Sequence, residues 1–189
     1  MKRCLLVLFV IILLPNVLFA KEEGVMILRG SRNVNALKDL KALKTSLKFE
    51  NTIQGVQINV NEVKELLRGE IDRCLGDLGN ITLFAEDAPA LNVYIILESK
   101  PSDRGFIYSV SLSANIENKG DKWIFEYKCK TDKQKFFNLS VKDQDRFLKA
   151  YKDAKDKKLN PGDHHESYIV HRSLSTLAFY LKKDYKSVN

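Results

Sequence analysis

The pattern of apolar residues predicts an α+β chain. The expected architecture is a two-layer sandwich, with a mixed sheet of about five strands that includes an antiparallel meander and helices packed on one face. Three observations carry this. Val63, Leu66, Leu67, Ile71, Cys74, Leu75 and Leu78 recur at the helical period. Leu91 to Leu97 is the most apolar run beyond the amino-terminal segment, as expected for a central strand. Phe106 to Ile116 and Trp123 to Cys129 each alternate at period two across the turn signal Asn118-Lys119-Gly120-Asp121.

The amino terminus has the plan of a Sec-type signal peptide. Lys2 and Arg3 precede eleven apolar residues, Cys4 to Leu14, and Pro15-Asn16 interrupts them before Val17-Leu18-Phe19-Ala20 meets Lys21-Glu22-Glu23. Residues 1–20 are expected to be removed, leaving 21–189 as a single domain in a periplasmic or secreted compartment, with a mobile leader at about 21–36. A retained anchor is the rival, because the apolar run counted on through Phe19 approaches the roughly 20 residues that span a bilayer. Cys4 precedes the apolar run, so no lipoprotein signal is present and no lipid is expected.

Without Lys2 and Arg3, 29 basic residues face 24 acidic ones, a charge of +5 spread along the chain. That spread fits a solvated surface better than a polyanion site. Nucleic acid is not expected as a partner. The aromatic residues of Trp123 to Lys130 share one strand face and Lys128 and Lys130 the other, so they do not form an interleaved platform. Membrane contact is expected to be peripheral at most, through Lys38, Lys41, Lys44 and Lys48.

Leu37 to Leu47 places leucines and lysines at spacings of three and four, a helical turn or two, and Thr45 to Glu50 then alternates as the first strand. Gln54-Gly55 marks a turn. A helix over 61–78 follows, with Asn61 as N-cap, its polar face formed by Glu62, Lys64, Glu65, Arg68, Glu70 and Arg73, and Gly76 and Gly79 at its end. Ile81 to Ala85 and Leu91 to Leu97 are expected strands, and Pro101 to Gly105 a turn. A charge-rich helix is predicted over Ser140 to Lys158, ended by Asn160-Pro161-Gly162. Asp163 and Glu166 resemble a capping box for a last helix bearing Val170, Leu174, Leu177, Ala178, Leu181 and Tyr185 on one side.

Chemistry-bearing motifs are sparse. His164, His165, Glu166 and His171 form the one cluster that invites a metal-dependent enzyme, but their spacing matches no zinc signature. The competing expectation places these histidines in the exposed first turns of the helix. No nucleophile elbow, Cys-His signature or phosphate-binding glycine loop is present, so no catalytic residue and no cofactor are assigned. Cys74 and Cys129 remain after signal removal, and either pair as a disulfide or sit as two separate buried residues. The meander leaves Ser109, Ser111, Ser113 and Asn115 on its polar side as a candidate binding face. These points favour a non-enzymatic exported protein that binds an envelope protein or glycan.

Leu47-Lys48-Phe49-Glu50, Glu62 through Gly79-Asn80-Ile81, Pro89-Ala90-Leu91-Asn92-Val93-Tyr94-Ile95, Tyr108 to Leu112 and Asp184-Tyr185-Lys186-Ser187-Val188-Asn189 carry a resemblance to a family of small Sec-exported bacterial α/β proteins. The resemblance implies export and the layout above, and no mechanism. In layout the chain is also similar to the lipopolysaccharide-assembly lipoprotein and to the amino-terminal domain of the Tol-system periplasmic protein. The first of these needs a cysteine at its cleavage point, which this chain lacks.

Overall fold

A computed structural model describes residues 32–53, 58–102, 105–132 and 165–189. The signal segment 1–20, the leader up to residue 31, the Gln54-Gly55 turn, the helix expected over Ser140 to Lys158, Asp163 and His164 lie outside the described residues.

Five strands, β1 (Ala42–Asn51), β2 (Thr82–Leu83), β3 (Ala90–Ser102), β4 (Gly105–Asn118) and β5 (Asp121–Asp132), form one sheet in the order β2-β1-β3-β4-β5. The first strand runs parallel to β2 and β3, whereas β3, β4 and β5 form an antiparallel meander. Helices α1 (Val60–Leu75) and α2 (His165–Lys186) pack against each other on one face of the sheet. The predicted two-layer arrangement is therefore present.

Strand alternation sends Leu91, Val93, Ile95 and Leu97 of β3, Val110, Leu112, Ala114 and Ile116 of β4, and Trp123, Phe125, Tyr127 and Cys129 of β5 to the helix side, where all are buried. The helices answer with Val63, Leu67, Ile71 and Leu75 from α1, and Ile169, Val170, Leu174, Leu177, Ala178 and Leu181 from α2. The β4–β5 turn has only Lys119 and Gly120 at its centre, both at positive φ (52° and 85°). That is the backbone shape a two-residue hairpin requires, and glycine adopts it without strain.

Several boundaries differ from the sequence expectations. Leu37 to Leu47 is not helical: a 3₁₀ turn covers Val34–Leu37 and β1 begins at Ala42. A spacing of four fits a strand as well as a helix because four is even, so Leu43 and Leu47 share one sheet face and Lys44 and Lys48 the other. Within the expected leader, Ala36 is fully buried, as is Leu37 just after it, and Arg32 bridges to Trp123 on the edge of β5. Helix α1 starts earlier than expected, capped by Asn59, whose side chain accepts from the Asn61 amide at 2.9 Å. It tightens into a 3₁₀ turn at Gly76–Leu78 before Gly79 reverses the chain at φ 68°. The strand expected over Ile81 to Ala85 is reduced to Thr82–Leu83, because Phe84 turns out of the ladder at φ 62° beneath the Arg68 guanidinium. At Pro101 the expected turn is displaced: β3 continues to Ser102 and pairs with Gly105.

Candidate functional site

With both helices on one side, the other face of the sheet carries the predicted polar row. Ser111, Ser113 and Asn115 are half-buried along β4, and Ser109 is more deeply covered, between Glu98 of β3 and Lys130 of β5. The register places each of these short side chains between two longer ones. Tyr94, Ser113 and Glu126 form one cross-strand row, and Ile96, Ser111 and Lys128 the next. Short residues in the middle strand with taller ones on both sides make a trough. Its volume is about 420 Å³, and its walls are Tyr94 and Ile96 on one side and Glu126 and Lys128 on the other.

Tyr94 is held in place from the β1 side. Lys48, its direct neighbour on β1, sets its ammonium 4.8 Å from the ring centroid and pairs with Glu50 at 3.0 Å. The Tyr94 hydroxyl donates to the same Glu50 carboxylate, which holds the phenol above its ordinary pKa, while the Lys48 hydrogen bond lowers that of Glu50. The β4 neighbour of Tyr94 is Ser113, too short to cover the other side of the ring. Across the trough, Glu126 and Lys128 are exposed and make no ion pair among the described residues.

Among the lysines expected to meet a membrane, Lys44 donates to the Glu86 carbonyl at 3.0 Å and Lys48 is engaged as above. Lys38, Lys41, Lys44 and Lys48 do not share a helical face, because the segment is a 3₁₀ end followed by a strand. Among the described residues no helix is long and apolar enough to cross a membrane.

A second polar constellation lies between the helices. Glu70, expected on the solvent side of α1, is only 3% exposed. Its carboxylate accepts from His171 Nε2 at 2.9 Å, from the Ser175 hydroxyl at 2.6 Å and from the Arg73 guanidinium at 2.5 Å. Burial alone would push this carboxyl upward, but the hydrogen bonds from His171, Arg73 and Ser175 outweigh it and hold the pKa at about 2. A carboxylate so stabilised is a weak proton acceptor, and the Ser175 proton is already committed to it. The group therefore joins two helices and is poorly suited to activating a nucleophile.

Of the expected histidine cluster, the described side chains Glu166 and His171 engage different partners. His165 opens α2, and Glu166 hydrogen-bonds Tyr108, whose phenol is pushed up by burial and by that carboxylate. His171, expected in an exposed turn, is buried against Glu70. Among the described residues no three His, Cys, Asp or Glu side chains are grouped to hold a metal ion. Cys74 of α1 and Cys129 of β5 are both buried as thiols.

No protein-family model matches the chain, and no curated protein matches it.

Proposed function

We propose that this is an exported, non-enzymatic binding protein of the bacterial envelope, and that the trough on the open face of its sheet receives an envelope macromolecule. One observation carries the reading: a row of half-buried hydroxyl and amide side chains, flanked by an aromatic ring and by two charges that make no ion pair among the described residues, lies on the face that neither described helix covers. An antiparallel sheet needs only one apolar face for its core, which leaves the other available for recognition. The trough also falls in the size range of small-ligand sites, about 300–1,000 Å³. The signal-like segment before Lys21 supports export, and the resemblance in layout to exported envelope proteins agrees with it.

Affinity capture from envelope extract tests the reading. The protein is expected to retain a component that the double variant Ser111→Arg, Ser113→Arg loses while still folding. Recovery of nothing beyond what that variant recovers overturns it. Export is tested separately by the mass of the recovered chain, which is expected to lack residues 1–20.

A further inference from the structure

We infer that the trough binds an uncharged oligosaccharide, with the Tyr94 ring as the surface on which one sugar ring stacks. The inference rests on the binding role proposed above and names the ligand class.

The first support is the presentation of the ring. Lys48 occupies one side of Tyr94 and pairs with Glu50 at 3.0 Å, so the ring is backed on that side. Among the described residues, the side toward Ser113 is uncovered and lines the trough. An aromatic face is electron-rich, and the C–H groups on one face of a pyranose ring are weakly positive, so the two stack. Ile96, next along the same wall, extends the apolar surface.

The second support is the balance of donors and acceptors. Serine hydroxyls both donate and accept, as sugar hydroxyls do. On the facing wall Glu126 offers an acceptor and Lys128 a donor of opposite charge, so the pair carries no net charge. Lys48, the remaining cation beside the ring, is already neutralised by Glu50 at 3.0 Å. A polyanion finds no surplus positive charge here, and a polycation no surplus negative charge.

The third support is shape. β3 and β5 flank one intervening strand, so the walls rise from ladders about 9.6 Å apart, and the two cross-strand rows at Ser111 and Ser113 run about 7 Å along β4. That is room for one sugar ring of a linear chain. A peptide recognised by strand addition needs a free sheet edge, but β4 is bonded on both sides and offers only side chains at the trough floor.

The test is a titration of isotope-labelled protein, followed by nuclear magnetic resonance, with the uncharged β-1,4-linked tetrasaccharides of N-acetylglucosamine and of glucose. Saturable shifts at Tyr94, Ile96, Ser111, Ser113, Glu126 and Lys128 are expected with at least one sugar, unchanged by about 0.5 M salt. Tyr94→Ala is expected to weaken binding about tenfold or more, whereas Tyr94→Phe, which keeps the ring, holds affinity within about threefold. Ser113→Trp, which fills the channel from a solvent-facing position, is expected to abolish the shifts. The absence of saturable shifts with both sugars, or equal binding by folded Tyr94→Ala, overturns the inference. If envelope capture still yields a component that depends on Ser111 and Ser113, the binding role survives and only the ligand class falls. If capture fails as well, both fall.

Discussion

Glu70 of α1 and His171 of α2, 101 residues apart in sequence, meet at 2.9 Å in the seam between the two helices. Both are almost fully buried, and the contact is reinforced by Ser175 and Arg73. With Glu70 ionised, Nε2 carries the hydrogen and donates it. The helices are thus fixed to one another by a polar clamp in a largely apolar layer.

Removing the carboxylate should be costly. Glu70→Ala strands His171 and Ser175 without their acceptor and is expected to destabilise the protein by about 3–5 kcal/mol in urea unfolding. Arg73→Ala removes a partner whose side chain is 46% exposed, and should cost less than about 1 kcal/mol. Equal losses from the two substitutions would contradict the clamp.

The same carboxylate sets an acid limit. Its folded pKa, about 2, lies below the ordinary 4.5, so the unfolded chain binds the proton more readily. The stabilisation is present in full above pH 4.5, declines as pH falls, and is lost as pH drops through about 2. Its size is on the order of 3 kcal/mol. Urea midpoints between pH 6 and pH 2.5 should fall steeply in the native protein and more shallowly in Glu70→Gln.

Trp123 is the sole tryptophan, is fully buried, and donates its indole hydrogen to Asp184 at 3.0 Å. Asp184→Ala leaves that donor without its acceptor, and should cost about 1–3 kcal/mol. Emission of the folded native protein is expected to be blue-shifted, moving to the red in the same cooperative step that urea unfolding shows. Separate transitions would mean that α2 detaches from β5 before the sheet opens.

Thiol counting tests two features together. Cys74 and Cys129 are buried thiols, so both should react slowly with a thiol reagent in the native protein. In denaturant two thiols should appear. Three would mean that Cys4, and with it the signal segment, is retained, and none that Cys74 and Cys129 are joined.

The meander was legible because both of its rules are local. Strict alternation assigns Ser109 to Asn115 to one face, and a two-residue turn at Lys119-Gly120 fixes which β5 residue opposes each β4 residue. The trough itself was not legible, since its Tyr94 and Ile96 wall depends on the β3–β4 register, which no single segment encodes. Glu70 was misplaced because charge was read before angle. It falls three residues after Leu67 and four before Cys74, on the apolar stripe, and His171 sits three residues before Leu174 and seven before Ala178. Two polar residues on facing apolar stripes are a sign of a cross-helix pair, and that pairing was the available signal. Leu37 to Leu47 misled for a different reason: a spacing of four satisfies both periods, and sheet pairing with Ala90 to Leu97 decided between them.

Asn189 closes over the other end of the fold. Its side chain donates to the Leu37 carbonyl at 2.8 Å and accepts from the Asp39 amide, while Tyr185 reaches the Leu40 carbonyl. The turn that leads into β1 is therefore completed by residues more than a hundred positions later. Contacts of such long sequence separation carry a loop-closure entropy that must be met before they add stability, which slows folding. Whatever forms first during synthesis, the entrance to the first strand stays unlocked until the last turn of α2 has emerged and docked, so the protein acquires its native state only after translation has run past Tyr185.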